Sequence, residues 1–369
     1  MIKPKKICFF VPRIVTGGLV QVMLTLAEAF ADKGYSIDLA TIHQSWPNDL
    51  KHLIPKNTNL IHLTASRPTT AIWPLVKHLK KSKPDVLISA GAAANYLAML
   101  AKILAFSSTK TILTEHSQPS VDIFKSKKLI DKVIPFFMRR LYPRADFIVA
   151  VSHSVARDLS TFIRYPLEKI YVIYNPIVNS KLTELSFAKL DHPWFKEKQY
   201  PIVLFVGRFS DVKNIPLLVN AFSLVRKSYE CKLVLVGDGP ERENLQSLVR
   251  DLALSKDTLL INYCPNPYPY MRHSNVLVLT SKWEGLGNVL IEAMACGTPV
   301  IATDNLESAR EILDNGKFGV LTPNNNVKIL ADNIVKAIQY EAAPKNIKER
   351  ANIFSVDTSV DQYLRLFDP

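Results

Sequence analysis

Short apolar runs alternate with helix-patterned stretches along the whole chain, and this alternation constrains the fold more than any single motif. In the first half the runs are KICFFV, SIDLATI, DVLISA, KTILTE and DFIVAVS, most of them rich in β-branched or aromatic residues. Between them lie longer patterns such as LVQVMLTLAEAFADKG and NYLAMLAKILAF. The second half repeats the scheme with PIVLFVG, CKLVLVG, TLLIN, NVLVLTS, TPVIAT and GVLTP, and with helices expected near 214–228, 240–254, 287–296 and 326–341. Continuous apolar runs mark parallel strands buried on both faces, and parallel neighbours need crossover helices. The reading is an α/β chain with two Rossmann-like doubly wound domains.

A length of 369 residues accommodates two such domains. Weak periodicity and interrupting prolines place the boundary within 176–200. We expect a first domain over 1–185 and a second over 190–349, with the helical tail 350–369 packing back on the first. Two sheets of this kind can face each other across a cleft with their strand C-termini toward it, where open α/β sheets bind ligands. The loops that follow strands are therefore the candidate site.

Several classes of protein are disfavoured at this level. No apolar run approaches the roughly 18 residues that cross a bilayer. The apolar run after Met-Ile-Lys-Pro-Lys-Lys ends after five residues at Pro12 and Arg13, too short for a signal-peptide core, and reads as a buried strand. Cys8, Cys231, Cys264 and Cys296 are too far apart in sequence for a paired metal motif, so a reducing cytosol without disulfide or zinc is expected.

The net charge of +13 is uneven. Residues 1–185 hold 25 Lys and Arg against 12 Asp and Glu, whereas residues 186–369 hold 21 of each. A basic first half points to a polyanionic partner: a membrane surface, a nucleic acid or a phosphorylated substrate. The alternative is a solvated surface that happens to be basic.

Among the loops, Gly17 and Gly18 follow the first strand and open a helix, where backbone amides can meet an anion. They do not match G-x-G-x-x-G, and such a pair can also be a plain turn. Glu115 and His116 begin a loop after the fourth run; a lone histidine there is either structural or cleft-facing. Arg208 and Lys213, in VGRFSDVKN, flank a helix expected to begin near Asn214. Two cations beside a helix N-terminus suit a diphosphate, unless they are only surface charges. GDGP at 237–240 could cradle a phosphate but reads better as a tight strand-to-helix turn.

The stretch WEGLGNVLIEAMACGTPVIATD, Trp283 to Asp304, carries Glu284 and Glu292 with seven residues between them. Gly285, Leu286, Gly287 and Asn288 make a flexible turn into a helix. Glu292 lies about one turn inside that helix, among apolar neighbours. A carboxylate there needs partners, and a vicinal diol offers two hydroxyl donors. A structural ion pair or a helix cap is the other possibility. Glu284 lies in the loop, nearer the reacting end of such a ligand.

These motifs together resemble retaining glycosyltransferases of the GT-B fold, glycosyltransferase family 4, over nearly the whole chain. The carriers are Arg208 with Lys213, GDGP, and the Glu-x7-Glu pattern of EGLGNVLIEAMACGTPVIAT, with TGG at 16–18, EH at 115–116, VSHS at 151–154 and YNP at 174–176 in support. The resemblance implies a nucleotide-sugar donor held mainly by the second domain. Arg208 and Lys213 would bind the diphosphate, and Glu292 the ribose hydroxyls. Glu284 and the amides of Gly285 to Asn288 would hold the transferred sugar. Gly17 and Gly18 would approach the distal phosphate and acceptor, and His116 the sugar near its reacting carbon. No divalent metal or other cofactor is expected. Two segments depart from the family: Asn262 to Cys264 replaces FLG near the expected base, and Leu306 to Ala309 replaces a small-residue loop on the sugar side.

The segment 122–146 interleaves basic and apolar residues, with Ile123, Ile130, Ile134 and Phe137 broadly on one side and Lys125, Lys128, Lys132 and Arg139 on others. This suits a helix on an anionic membrane surface, or a crossover helix packed on the first sheet. The expected activity is retaining transfer of a hexose or N-acetylhexosamine, from a donor more suggestive of UDP, to a lipid-linked or polysaccharide acceptor. Such an enzyme would work in polysaccharide or lipopolysaccharide biosynthesis, in the cytoplasm at the inner face of the membrane. The rivals are a GT-B nucleotide-sugar epimerase and a basic nucleic-acid-binding protein; the latter lacks a recognition helix or stacking motif.

Overall fold

The computed structural model describes residues 5–12, 17–42, 54–65, 68–121, 134–197, 199–339 and 346–368. The chain divides into two compact units, Met1–Pro176 with Val356–Pro369, and Ile177–Ser355.

In the first unit the described strands are β1 (Lys6–Phe10), β2 (Ser36–Thr41), β3 (Thr58–His62), β4 (Val86–Ala90), β5 (Lys110–Glu115), β6 (Phe147–Ala150) and β7 (Ile170–Val172). They form one sheet of order β3-β2-β1-β4-β5-β6-β7, parallel throughout. Five were legible as apolar runs. The two that were not are the edges, β3 and β7. An edge strand is covered on fewer sides, and β3 mixes half-buried with exposed residues and buries none fully.

In the second unit the described strands are β8 (Ile202–Val206), β9 (Lys232–Val236), β10 (Thr258–Ile261), β11 (Val276–Leu279), β12 (Val300–Thr303) and β13 (Val320–Thr322). Their order is β10-β9-β8-β11-β12-β13, again parallel. All six match the apolar runs. The helices Ile215–Arg226, Arg242–Asp251, Asn288–Cys296 and Val327–Gln339 lie where the 3.6-residue pattern put them. One face of the sheet buries Val203, Phe205, Leu233, Leu235 and Val278 against Leu218 and Phe222 of the first of these helices. The direction of strand addition reverses between β8 and β11, and in the first unit between β1 and β4. Loops at the C-terminal ends of those strands flank the crevice where such sheets take ligands.

The unit limits differ from the sequence expectation. Residues 177–185 and 350–355 lie in the second unit, not the first. Ile177 N–H donates to the Phe354 carbonyl at 2.9 Å, and Arg350 donates to the carbonyls of Ile312 (2.8 Å) and Glu311 (2.6 Å). The tail that packs on the first unit is the helix Val356–Phe367. Tyr363 and Phe367 meet Phe30 of the helix Gly18–Asp32 at 6.5 and 5.9 Å between ring centroids, and Tyr35 donates to Asp368 at 2.6 Å.

Of the expected membrane helix, residues 122–133 lie outside the described residues. The remainder is the helix Ile134–Leu141 followed by a 3₁₀ turn, Tyr142–Arg144. Its buried side chains are Met138 and Leu141, while Phe137 is exposed and stacks on Tyr96. The expected apolar stripe through Phe137 is therefore not the side that packs on the sheet. Among the described residues no helix is long and apolar enough to cross a membrane.

Candidate active site

The loop after β8 carries Arg208 and Lys213. It runs through a 3₁₀ turn, Asp211–Lys213, to Asn214, whose φ of 45° ends the turn and starts the helix Ile215–Arg226. The loop after β9 fixes its shape. Phe209 N–H donates to the Asp238 carbonyl (2.9 Å), and Glu241 N–H to the Phe209 carbonyl (3.0 Å). A Cβ on Gly237 would lie 1.9 Å from the Gly207 carbonyl oxygen, and one on Gly239 would lie 2.3 Å from that of Phe209. Glycine is required at both because two backbones touch there. GDGP is thus a strand-to-helix turn that braces the Arg208 loop, with the next helix beginning at Arg242.

The loop after β11 is sewn to the same place. The buried Thr280 hydroxyl lies 3.0 and 3.1 Å from the carbonyls of Lys213 and Asn214, and Lys282 N–H donates to the Val212 carbonyl at 2.7 Å. Thr303, at the end of β12, donates to the Ser281 carbonyl (3.2 Å), and Asn305 to that of Lys282 (2.8 Å). Lys282 also pairs with Asp211 through their side chains.

This stitching brings Lys213 and Glu284 together. The Lys213 ammonium pairs with Glu284 Oε1, which also accepts a hydrogen bond from Ser281 Oγ at 2.6 Å. Both contacts fall on Oε1; Oε2 has no partner among the described residues. Arg208 is exposed, and its guanidinium has no hydrogen-bond or ion-pair partner among the described residues. A Cβ on Gly207 would lie 3.8 Å from Lys213 Cε, so the Lys213 stem crosses the base of the Arg208 loop.

Gly287 then takes φ 88°, a left-handed conformation that suits glycine, and starts the helix Asn288–Cys296 without a side-chain cap. Leu290 N–H is the first to bond back, to the Gly287 carbonyl at 3.0 Å, so the Val289 amide has no acceptor within the helix. Leu286 is buried, leaving its backbone rather than its side chain for a ligand.

Glu292 is half-buried on this helix and has neither a hydrogen bond nor an ion pair among the described residues. Loss of hydration pushes its carboxyl from an ordinary 4.5 up to about 7. Burial, and then the charge of Glu292, hold the Tyr268 phenol far above its ordinary value, and the helix that Tyr268 opens packs against that of Glu292. Tyr268 opens the short helix Tyr268–Arg272, four residues beyond the departure at Asn262 to Cys264.

Gly17, Gly18 and His116 lie in the first unit. Both glycines are exposed at the start of the helix Gly18–Asp32, and an added Cβ at Gly17 would meet nothing within 4 Å. The first intrahelical bond runs from Gln21 N–H to the Gly17 carbonyl, which leaves the amides of Gly18, Leu19 and Val20 open on the helical side. His116 follows β5; its Nε2 lies 3.0 Å from Thr114 Oγ1, and its Nδ1 is buried, without a hydrogen bond of good geometry among the described residues. Burial depresses the imidazole from 6.5 to about 4, with the Asn175 side chain opposing it in part. Beneath it, Asn95 donates to Glu115 Oε1 (2.9 Å), and Tyr142 donates to the same oxygen.

Sequence reasoning missed Thr280, Ser281, Thr303 and Asn305. For the first three the signal was small hydroxyl residues ending otherwise apolar strands, in LVLTS and VIAT; Asn305 had none. No group of three or more His, Cys, Asp or Glu that could hold a metal ion occurs among the described residues.

The model of Glycosyltransferase Family 4 matches residues 16–180, and that of Glycosyl transferases group 1 matches residues 187–353. A Campylobacter jejuni protein named N-acetylgalactosamine-N,N'-diacetylbacillosaminyl-diphospho-undecaprenol 4-alpha-N-acetylgalactosaminyltransferase is 30% identical over 259 residues, covering 70% of this chain and 68% of that protein. The chain belongs to glycosyltransferase family 4. A second C. jejuni relative, an alpha-1,4-N-acetyl-D-galactosaminyltransferase for a diNAcBac-PP-undecaprenol glycan, is 27% identical over 98% of both chains. Sucrose-phosphate synthase from Thermosynechococcus elongatus superposes with a TM-score of 0.81 at 22% identity, and Anabaena HepE in complex with UDP with 0.79 at 20%; each covers 98% of both chains. These two share the GT-B fold with the present family 4 glycosyltransferase.

Proposed function

We propose that this glycosyltransferase moves a hexose or N-acetylhexosamine, with retention, from a nucleoside diphosphate, UDP for preference, to a hydroxyl of a lipid-linked or polysaccharide acceptor in glycan biosynthesis. The observation that carries the reading is Glu292. A carboxyl on an apolar helix, without a partner among the described residues and on the helix that follows the Glu284 loop, is costly unless a ligand satisfies it. Ribose hydroxyls would do so, and Tyr268, on the short helix packed against that of Glu292, is a candidate neighbour of the base.

Arg208 and Lys213 would take the diphosphate, and their charge would stabilise it as it leaves. Glu284 would hold the Lys213 ammonium through Oε1 and offer Oε2 to a sugar hydroxyl. The amides of Gly285 to Asn288 would take the remaining polar groups of the sugar. In the first unit, Gly17 and Gly18 would approach the distal phosphate and the acceptor, and His116 the sugar near its reacting carbon. No residue is assigned as nucleophile or general base. The acceptor hydroxyl would attack on the face from which the phosphate departs, with its proton passing to that phosphate. The two C. jejuni relatives support an amino-sugar donor, a lipid-linked acceptor and transfer over epimerisation. A peripheral place on the membrane follows from such an acceptor.

A panel of nucleotide sugars, scored for thermal stabilisation and for release of nucleoside diphosphate with and without EDTA, tests the reading. Stabilisation by one donor, with release that survives EDTA, is expected. Absence of both responses across the panel would refute it.

A further inference from the structure

Among the described residues, three helices of the first unit leave an apolar and basic face without a protein cover. Ile72–Ser82, Ala92–Ala105 and Ile134–Leu141 follow β3, β4 and β5, and the strand order advances the same way at each step. Right-handed crossovers therefore set all three on one side of the sheet. The middle helix packs against both of the others.

The middle helix is apolar on its inner and outer sides alike. It buries Leu97, Ala98 and Ala101, yet its outward positions are Ala93, Tyr96, Leu100, Ile103 and Leu104, of which Ala93, Ile103 and Leu104 are exposed. Its one charge, Lys102, pairs with Asp146 at 2.6 Å. A surface helix ordinarily turns polar residues outward.

The flanking helices supply aromatic and cationic groups. Trp73, Lys77, Lys80 and Lys81 form the exposed stripe of the first, with Trp73 66% exposed. Phe136, Phe137, Arg139 and Arg140 are exposed on the third, with Phe136 58% exposed. The three helices contain six Lys and Arg residues and no Asp or Glu. Lys77, Lys80 and Lys81 have no carboxylate partner among the described residues.

We propose that this three-helix face docks on an anionic lipid bilayer. Large aromatic and aliphatic side chains interspersed with cations, on helices that carry no Asp or Glu, complement a surface that is apolar below and negative above. The polarity of the helices orients the contact. Crossover helices run antiparallel to their strands, so Trp73 and Phe136, near helix N-termini, lie toward the strand C-terminal end of the sheet. That is the end carrying Gly17, Gly18 and His116. Docking would thus present the acceptor side of the first unit to the membrane. The inference rests on the proposed lipid-linked acceptor for its purpose, but not for its test.

The test is co-sedimentation of the full chain with vesicles of equal parts phosphatidylglycerol and phosphatidylcholine, and with vesicles of phosphatidylcholine alone, at low and high salt. Binding to the anionic vesicles alone, weakened by salt, is expected. Lys77→Glu/Lys80→Glu/Lys81→Glu should weaken it on the order of 100-fold, at roughly tenfold or less per cation. Trp73→Ser/Phe136→Ser should weaken it roughly tenfold. Both variants should keep the wild-type thermal midpoint and wild-type release of nucleoside diphosphate from the donor. Wild-type chain that fails to sediment at low salt, or variants that sediment like wild type, would overturn the proposal while leaving the donor chemistry intact. So would sedimentation velocity showing a dimer that Trp73→Ser/Phe136→Ser dissolves, since the face would then belong to a second copy. Vesicle binding in a chain that releases no nucleoside diphosphate would instead count against the transferase reading alone.

Discussion

Replacing Lys213 by Ala separates chemistry from folding at a single cation. Its ion pair with Glu284 is partly open to solvent, with side-chain exposures of 21% and 15%, so the pair itself is worth about 0.2–1 kcal/mol. Glu284 keeps the Ser281 hydroxyl at 2.6 Å, and the loss of one partner from its carboxylate adds about 1 kcal/mol more. The Lys213 backbone remains tied to Thr280. The second unit should therefore lose about 1–2 kcal/mol, which lowers its thermal midpoint by about 5 °C. If the same ammonium neutralises the departing diphosphate, its removal should cost on the order of 100-fold or more in turnover, about 3 kcal/mol in the barrier. Release of nucleoside diphosphate at saturating donor, measured beside calorimetric unfolding, compares the two effects. Turnover within tenfold of wild type would refute the assignment of Lys213 to the leaving group. A fall in the midpoint beyond about 15 °C would show instead that the residue holds the fold.

Three further outcomes follow from the same geometry. The Glu292 carboxyl is raised to about 7, so the folded state favours its protonated form, and this contribution is complete below about 4.5 and lost as pH rises through 7. Glu292→Gln should therefore gain up to about 3 kcal/mol over wild type at pH 8 but nothing at pH 4, while binding donor at least tenfold more weakly; equal pH profiles of thermal midpoint in the two proteins would contradict this. His116, depressed to about 4, should remain neutral from pH 8 down to pH 5, and stability it contributes should fade only as pH drops from 6.5 through 4; an imidazole NMR resonance titrating above pH 6 would exclude the buried placement. Gly237→Ala puts a Cβ 1.9 Å from the Gly207 carbonyl oxygen and should destabilise the second unit by about 3 kcal/mol, lowering its calorimetric midpoint by about 6–12 °C; a midpoint within 2 °C of wild type would show that the two loops are not in contact.

The sequence disclosed the fold where burial was complete. Runs such as KICFFV and PIVLFVG are covered on both faces, so their apolar character leaves no other reading. The edge strands β3 and β7 lacked that signal because solvent reaches them. The site was legible residue by residue but not as an arrangement. Glu284 and Lys213 were each visible as charges in strand-end loops, yet they are 71 positions apart, and nothing local joins them. Their union depends on Thr280, Ser281, Thr303 and Asn305, whose hydrogen bonds run between loops that only the strand order brings together. GDGP could be read as a turn, but its two glycines are explained by the backbone of the neighbouring loop. Glu292 could be read from sequence alone, because a carboxylate among Val, Leu, Ile, Ala and Met is anomalous wherever the helix lies.

The anomeric configuration of the product tests the proposed chemistry most directly. The enzyme is given the nucleotide sugar that stabilises it and a polyprenyl-diphosphate-linked acceptor, and the coupling constant at the new glycosidic carbon is read by proton NMR. An α-linked donor should yield an α-linked product with stoichiometric release of nucleoside diphosphate, abolished by Lys213→Ala. A β-linked product would contradict front-face transfer, and the absence of any glycosidic product alongside altered free sugar would contradict transfer itself.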